Sequence, residues 1–282
     1  MSDDGVQVSK NRAIAIRSAS ITGWTVAAGA FVHLIPGVVA WRSARSRLLP
    51  RLSGVGDPTH VALTFDDGPD PIATPPILAA LDALGWRATF FCLGTQVRRS
   101  PGLARELVAR GHEIGVHGDT HVSHLRRPLT STVPDVIRAR ETIAEMTGAR
   151  PHWFRPPYGA VSSSTLVAGR RADLQLVLWT TWGRDWKPRA TGRTVAADVR
   201  RTYVPGATVL LHDSDITSVQ GCWRSTLAAL PLLAEQWASM GLTVGPLADH
   251  GVGGGAQAGG AAAHHGSTGG NGAAAAGAAA RR

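Results

Sequence analysis

Between residues 59 and 248 short apolar runs alternate with longer amphipathic stretches, and a chain patterned this way builds a parallel α/β sheet. Each step between parallel strands needs a crossover of a dozen or more residues, usually helical, and the spacing supplies it. The apolar runs predict strands at Val61–Phe65, Ala88–Leu93, Glu113–Val116, His152–Phe154, Leu174–Trp179 and Thr208–Leu211, with a last one at Leu242–Val244. Helices are predicted at Pro75–Leu84, Pro101–Arg110, Thr132–Thr147, Ser163–Arg170, Thr194–Thr202 and Thr226–Met240. Strand and helix repeated six or seven times, with no internal sequence repeat, predict a barrel or a doubly wound sheet.

The ends of the chain follow other rules. Ile21 to Trp41 is a run of 21 residues without Asp, Glu, Lys or Arg, long enough to span a bilayer as a helix. His33, Pro36 and two Thr dilute it, so an interfacial or domain-packed helix is the rival reading, and Val38 and Ala40 would suit a cleaved signal. Gly251 to Arg282 holds 23 Gly or Ala among 32 residues and cannot bury an apolar face, which predicts disorder. His264 and His265 in that tail are given no role.

The charge is as uneven as the hydropathy. Of the net +9, residues 1–51 carry +5 and Arg281 and Arg282 another +2, leaving the central block almost neutral. A nucleic-acid partner would need a basic face on the folded domain, and none is indicated. Cys92 and Cys222 are too few for a disulfide framework; Cys92 sits in an apolar run and reads as a buried thiol, with one long-range bridge left open.

Polar residues recur at the predicted strand ends: Asp66 and Asp67, His117, Arg155, Asp185 and His212. In a barrel of parallel strands those ends share one rim, where residues distant in sequence converge. Adjacent carboxylates after an apolar strand repel each other, and a cation would resolve the conflict. His117 and His121 lie four apart, and histidine with carboxylate is a ligand set suited to Zn²⁺ with a position left for water. Asp119, between the histidines, is a rival ligand.

These residues resemble the polysaccharide deacetylases with a NodB-like domain, carbohydrate esterase family 4. Thr64-Phe65-Asp66-Asp67-Gly68 is similar to the family's first motif, His117 to His121 to its second and Arg155-Pro156-Pro157-Tyr158 to its third. Asp185-Trp186 resembles the fourth and Leu210-Leu211-His212 the fifth. The resemblance implies an α/β fold, a distorted (β/α) barrel of about seven units, flanked here by the N-terminal apolar helix and the disordered C-terminal tail. It covers the catalytic domain at 59–248, and the reading of the ends adds a tail at 1–20, an apolar helix and candidate membrane anchor at 21–41, a linker at 42–58 and a Gly/Ala-rich tail at 249–282.

Carried over by resemblance, Asp66 is the general base, Asp67, His117 and His121 hold a divalent metal ion of the Zn²⁺ type, and Arg155 keeps Asp66 ionised and turned. The Tyr158 N–H faces the oxyanion, His212 is the general acid, and Asp185 orients it. The implied substrate is an N-acetylated (or O-acetylated) glycan of the cell envelope, which places the domain facing outward from the membrane; no protein partner is implied, and the charge distribution speaks against nucleic acid. Rival readings are a secreted or cytoplasmic protein, an esterase or amidase for a small acetylated molecule, and a silent glycan-binding module. The chain departs from the family pattern twice. Gly118 stands where the second motif usually has Ser or Thr, and Trp182 where the fourth usually has a further Asp.

Trp182 and Trp186 are expected to line the substrate groove, while Trp24, Trp41, Trp86 and Trp237 read as anchors or core. His60, His112, His124, His152 and His250 read as structural, and Asp213 and Asp215 as loop caps or supports for the site.

Overall fold

The computed structural model describes residues 42–252; the apolar stretch at 21–41 and the tail beyond 252 lie outside them. Among the described residues no helix is long and apolar enough to cross a membrane. Two short helices, α1 (Arg42–Leu48) and α2 (Pro50–Ser53), lead into β1 (His60–Asp66). Then follow α3 (Thr74–Ala83), β2 (Thr89–Cys92), α4 (Gly94–Arg99), α5 (Pro101–Ala109), β3 (Glu113–Val116), α6 (Leu129–Thr147) and β4 (Trp153–Phe154). The second half holds α7 (Ser163–Arg171), β5 (Gln175–Leu176), β6 (Thr181–Trp182), α8 (Gly192–Thr202), β7 (Thr208–His212), α9 (Trp223–Ser239) and β8 (Thr243–Gly245).

Every strand pairing is parallel, in the order β5-β4-β3-β2-β1-β7-β6, with β8 pairing the first residues of β1. The result is the expected distorted (β/α) barrel, open between its edge strands β5 and β6. The N-terminal segment sits at this opening. Leu178 N–H donates to Leu52 O (2.8 Å), the buried Arg45 guanidinium to Trp179 O (2.7 Å), and Thr208 Oγ1 to Gly54 O (2.6 Å).

The strands bury both faces, and their two-residue alternation sorts side chains into a helix-facing core and a barrel interior. Along β1, Val61, Leu63 and Phe65 join the large core cluster with Phe90, Cys92, Val116, Val209 and Leu211, whereas Ala62 belongs to the separate interior cluster with Phe91, Trp153 and Val177. Thr64 and Asp66 share the parity of Ala62, and on β7 Leu210 and His212 are likewise out of phase with Val209 and Leu211. The alternation therefore turns Asp66 and His212 away from the helices. Gly115 on β3 leaves room for the Phe91 ring, which a Cβ there would meet at 2.7 Å.

Strand Leu174–Trp179 requires correction. Only Gln175 and Leu176 pair with β4, and the chain then turns onto the unpredicted β6. The apolar run continues through Val177, Leu178 and Trp179 because those side chains fill the interior clusters, not because they stay in the ladder. Helix α4 was not expected either. Cys92 and Cys222 are both buried free thiols, and burial pushes the Cys222 thiol up to about 12.

Candidate active site

The base side grows from β1 and its neighbours. The Arg155 guanidinium, wholly buried, donates through Nη1 to Asp66 Oδ1 (2.8 Å) and Thr64 Oγ1 (2.7 Å) and through Nη2 to Leu178 O (2.8 Å). It also lies 4.0 Å from the Phe91 ring centre. Burial lowers the Arg155 pKa while Asp66 raises it again, so one counter-charge holds the other. Thr64 Oγ1 in turn donates to Val209 O (2.7 Å), which ties this contact to β7.

Asp67, His117 and His121 bring one ligand atom each within 4.8 Å of one another. His117 Nδ1 lies 2.8 Å from Arg155 O, a pure acceptor, so that nitrogen carries a proton and Nε2 is the ring nitrogen turned to Asp67. This Nε2 and His121 Nε2 are each 3.2 Å from Asp67 Oδ1, a buried oxygen without a hydrogen-bond donor. Burial, with His117 next to it, lowers the His121 pKa to about 4, so that ring is neutral at pH 7. Burial would raise the Asp67 pKa, but His117 beside it and the charge on His212 outweigh it and keep the carboxyl well below its ordinary range. A buried carboxylate oxygen facing two imidazole nitrogens is a donor set that fits a divalent cation. Asp67 Oδ2 is fixed by the Thr217 hydroxyl at 2.6 Å, a contact with no sequence signal.

The acid side comes from β7 and the β6–α8 loop. Asp185 is wholly buried; its Oδ1 is 2.8 Å from His212 Nδ1, and its Oδ2 accepts from the His212 N–H (2.7 Å) and Thr226 Oγ1 (2.6 Å). Burial opposes a charge on the imidazole, but the Asp185 carboxylate outweighs it and raises His212 to about 10. Trp186 meets the His212 ring edge-on at 5.4 Å, and Trp182 meets Trp186 in the same way at 5.4 Å.

A cavity of about 250 Å³ is lined by both aspartates, His117, His121, His212, Tyr158 and Trp179, Trp182 and Trp186. Asp67 and Tyr158 hold left-handed backbone at φ 81° and 61°, a conformation costing roughly 1–3 kcal/mol for such residues and concentrated at functional sites. The turn at Tyr158 is closed by Gly159 N–H to Pro156 O (2.9 Å) and Ala160 N–H to Pro157 O (3.1 Å), bonds in which the Tyr158 N–H takes no part.

Each candidate site residue therefore lies at this cavity or directly behind it. Asp119 does not: its carboxylate is held by Arg98 (2.8 and 3.1 Å) and Arg138 (2.8 Å), which removes it as a rival ligand. Asp213 accepts from Thr74 Oγ1 (2.6 Å) beside Gly68, and burial pushes its carboxyl up to about 7; Asp215 caps the Gly221 N–H (2.5 Å). His60 and His250 face one another through Nδ1 at 2.8 Å, His112 accepts from Ala88 N–H and His124 meets Thr165, all away from the cavity. Trp237 is fully buried with Trp86 against it. Trp24, Trp41, His264 and His265 lie outside the described residues.

A family model described as polysaccharide deacetylase matches residues 53–177. The chain is 39% identical over 154 residues to a chitooligosaccharide deacetylase of Bradyrhizobium, covering 54% of this chain and 70% of that protein. It is 34% identical over 154 residues to a peptidoglycan-N-acetylglucosamine deacetylase of Listeria monocytogenes, covering 55% of this chain and 32% of that protein, so it spans about a third of that relative. Among solved structures it resembles a family 4 acetyl xylan esterase from Clostridium thermocellum in complex with a cobalt ion: TM-score 0.61, 30% identity, 67% of this chain and 88% of that one.

Proposed function

We propose that this chain, which belongs to the polysaccharide deacetylase family, hydrolyses acetyl groups, N-acetyl above all, from a glycan of the cell envelope. The observation carrying this reading is a register: Asp66 and His212 are direct partners across the parallel β1–β7 pair, so a candidate base and a candidate acid face one cavity from adjacent strand ends. The named substrates of the relatives, chitooligosaccharide and peptidoglycan N-acetylglucosamine, support an acetylated amino sugar.

Asp67, His117 and His121 would hold a divalent ion, with Zn²⁺ as the proposed metal. The chemistry such an ion supplies when bound is Lewis acidity, a lowered pKa for water and a polarised acetyl carbonyl. Asp66 accepts the proton of the attacking water, and Arg155, bonded to its Oδ1, turns the carboxylate for that task. The Tyr158 N–H donates to the oxyanion of the tetrahedral intermediate. His212, with Nδ1 engaged by Asp185, gives a proton from Nε2 to the departing amine, and Asp185 stabilises the imidazolium before that transfer. Trp182 and Trp186 form an aromatic wall on which a sugar ring can stack.

The test is acetate release by the full chain offered peptidoglycan, chitin oligomers, acetylated xylan and a small aryl acetate in parallel. Release is expected from an N-acetylated polymer, abolished by chelation and restored by one divalent ion per chain. Release only from small acetylated molecules would favour the esterase reading, and none from any substrate a silent binding module.

The apolar stretch Ile21–Trp41 supports a membrane anchor with the catalytic domain outward, where an envelope glycan lies. Protease added to intact, wall-stripped cells should digest the domain. Digestion only after lysis would place it in the cytoplasm.

A further inference from the structure

The loop carrying the two histidine ligands is held by a side chain outside every motif. Asp135 lies on α6, is wholly buried, and aims its carboxylate at the loop between His117 and His121. Oδ2 accepts from the Asp119 N–H at 2.9 Å; Oδ1 accepts from Thr120 Oγ1 at 3.0 Å and from Arg127 Nη1 at 2.8 Å. Arg127 also reaches Thr120 Oγ1 at 3.3 Å. Both residues that follow Gly118 in the loop are therefore tied to one carboxylate.

Gly118 explains why support comes from α6. Its φ is +104°, a conformation side chains rarely adopt, and a Cβ there would come within 3.2 Å of Asp135 Oδ2. The loop thus forgoes a hydroxyl at residue 118 and packs its backbone against a charged acceptor. The backbone continues the restraint: Gly94 N–H donates to Gly118 O (3.0 Å) and Thr95 N–H to Asp119 O (3.1 Å).

We infer that Asp135 is a positioning residue for metal binding: it fixes the His117–His121 loop so that both Nε2 atoms face Asp67 Oδ1 before an ion arrives. The inference rests on the metal reading of the site and adds a residue that touches neither ion nor substrate. Supports of this kind behind metal ligands are typically worth ~10–100-fold in affinity, because without them binding must order the ligands itself.

The experiment is Co²⁺ titration of the full chain, with the thermal midpoint of the metal-free protein measured alongside. Asp135→Asn should weaken Co²⁺ binding by ~10–100-fold at temperatures where the metal-free variant is fully folded. A residue that merely stabilises the fold would lower the midpoint and leave the affinity alone, and that result overturns the inference. Should Asp135→Asn fail to fold, Thr120→Val and Arg127→Gln each remove one donor to Oδ1 and should weaken Co²⁺ binding measurably; wild-type affinity in both overturns it equally. A wild-type chain that takes up no Co²⁺ overturns the metal reading itself, a different failure from a variant that binds as well as wild type.

Discussion

The two sides of the cavity are built differently. The base side is strand-end chemistry: Asp66, Arg155 and His117 sit on or immediately after β1, β4 and β3, and each is fixed by contacts to other strands. On the acid side Trp182 ends β6 and His212 ends β7. The His212 partner Asp185 and the aromatic residue Trp186 come from the β6–α8 loop beside the open edge of the barrel. A rigid sheet holds the groups proposed to activate water, while a loop that can vary presents those proposed to meet the leaving sugar. The departure at Trp182 falls on the second side, where a changed side chain reshapes the groove without moving the base.

Asp66→Asn should produce the largest break in this contrast. It removes the proton acceptor, and general base catalysis is typically worth ~10²–10⁴-fold. The loss should be equal for an N-acetyl sugar and an activated aryl acetate, because both need an attacking water. Metal content should stay at the wild-type level, since Asp67, His117 and His121 are untouched. Loss of the ion along with the activity would mean that Asp66 is a ligand.

His212→Ala should instead separate the two substrates. An amine leaves poorly unless protonated, whereas a phenolate leaves unaided, so the loss of ~10²–10⁴-fold should fall on the N-acetyl sugar and spare most of the aryl acetate rate. Parallel assays of both substrates decide it. Equal losses would make His212 a structural group and leave the mechanism without a proton donor.

How much of this contrast can be read from sequence follows from the same division. Strand ends are legible because a short apolar run that stops at a charged residue marks both the strand and its rim, as at Phe65-Asp66 and Leu211-His212. Where the barrel opens, Leu176-Val177-Leu178-Trp179 reads as one strand because interior packing demands the same apolar side chains as a ladder does. Asp135 and Thr217 carry no local signal. A polar residue on an amphipathic helix and a hydroxyl on a loop look solvated until the fold brings their partners to them.

Asp185→Asn gives a smaller effect and reports on charge. The carboxylate raises His212 to about 10, so its stabilising contribution is complete below the ordinary imidazole value near 6.5 and disappears as pH rises through about 10. Without that charge, burial dominates and the imidazole loses its proton at lower pH. Urea midpoints of the metal-free chain should fall between pH 6.5 and 10 for wild type, and this slope should flatten in Asp185→Asn. The alkaline limb of N-acetyl hydrolysis should move to lower pH in the variant. An unchanged pH profile would show that Asp185 only orients the ring.

Trp182→Ala should have the smallest effect, and it probes the aromatic wall alone. The indole meets Trp186 at 5.4 Å, and Trp186 in turn meets His212 at the same distance. Arg184 lies 5.0 Å from the Trp182 ring centre and helps hold it in place. If a sugar stacks there, removing the ring costs an aromatic contact of about 0.5–1.5 kcal/mol, or roughly 2–10-fold. That loss should raise KM for a polymeric substrate with kcat nearly unchanged, because stacking is equally strong in the ground and transition states. An aryl acetate too small to reach the wall should be unaffected. A fall in kcat on both substrates would mean that Trp182 acts through Trp186 on the setting of His212, so that the wall belongs to the acid and not to the groove.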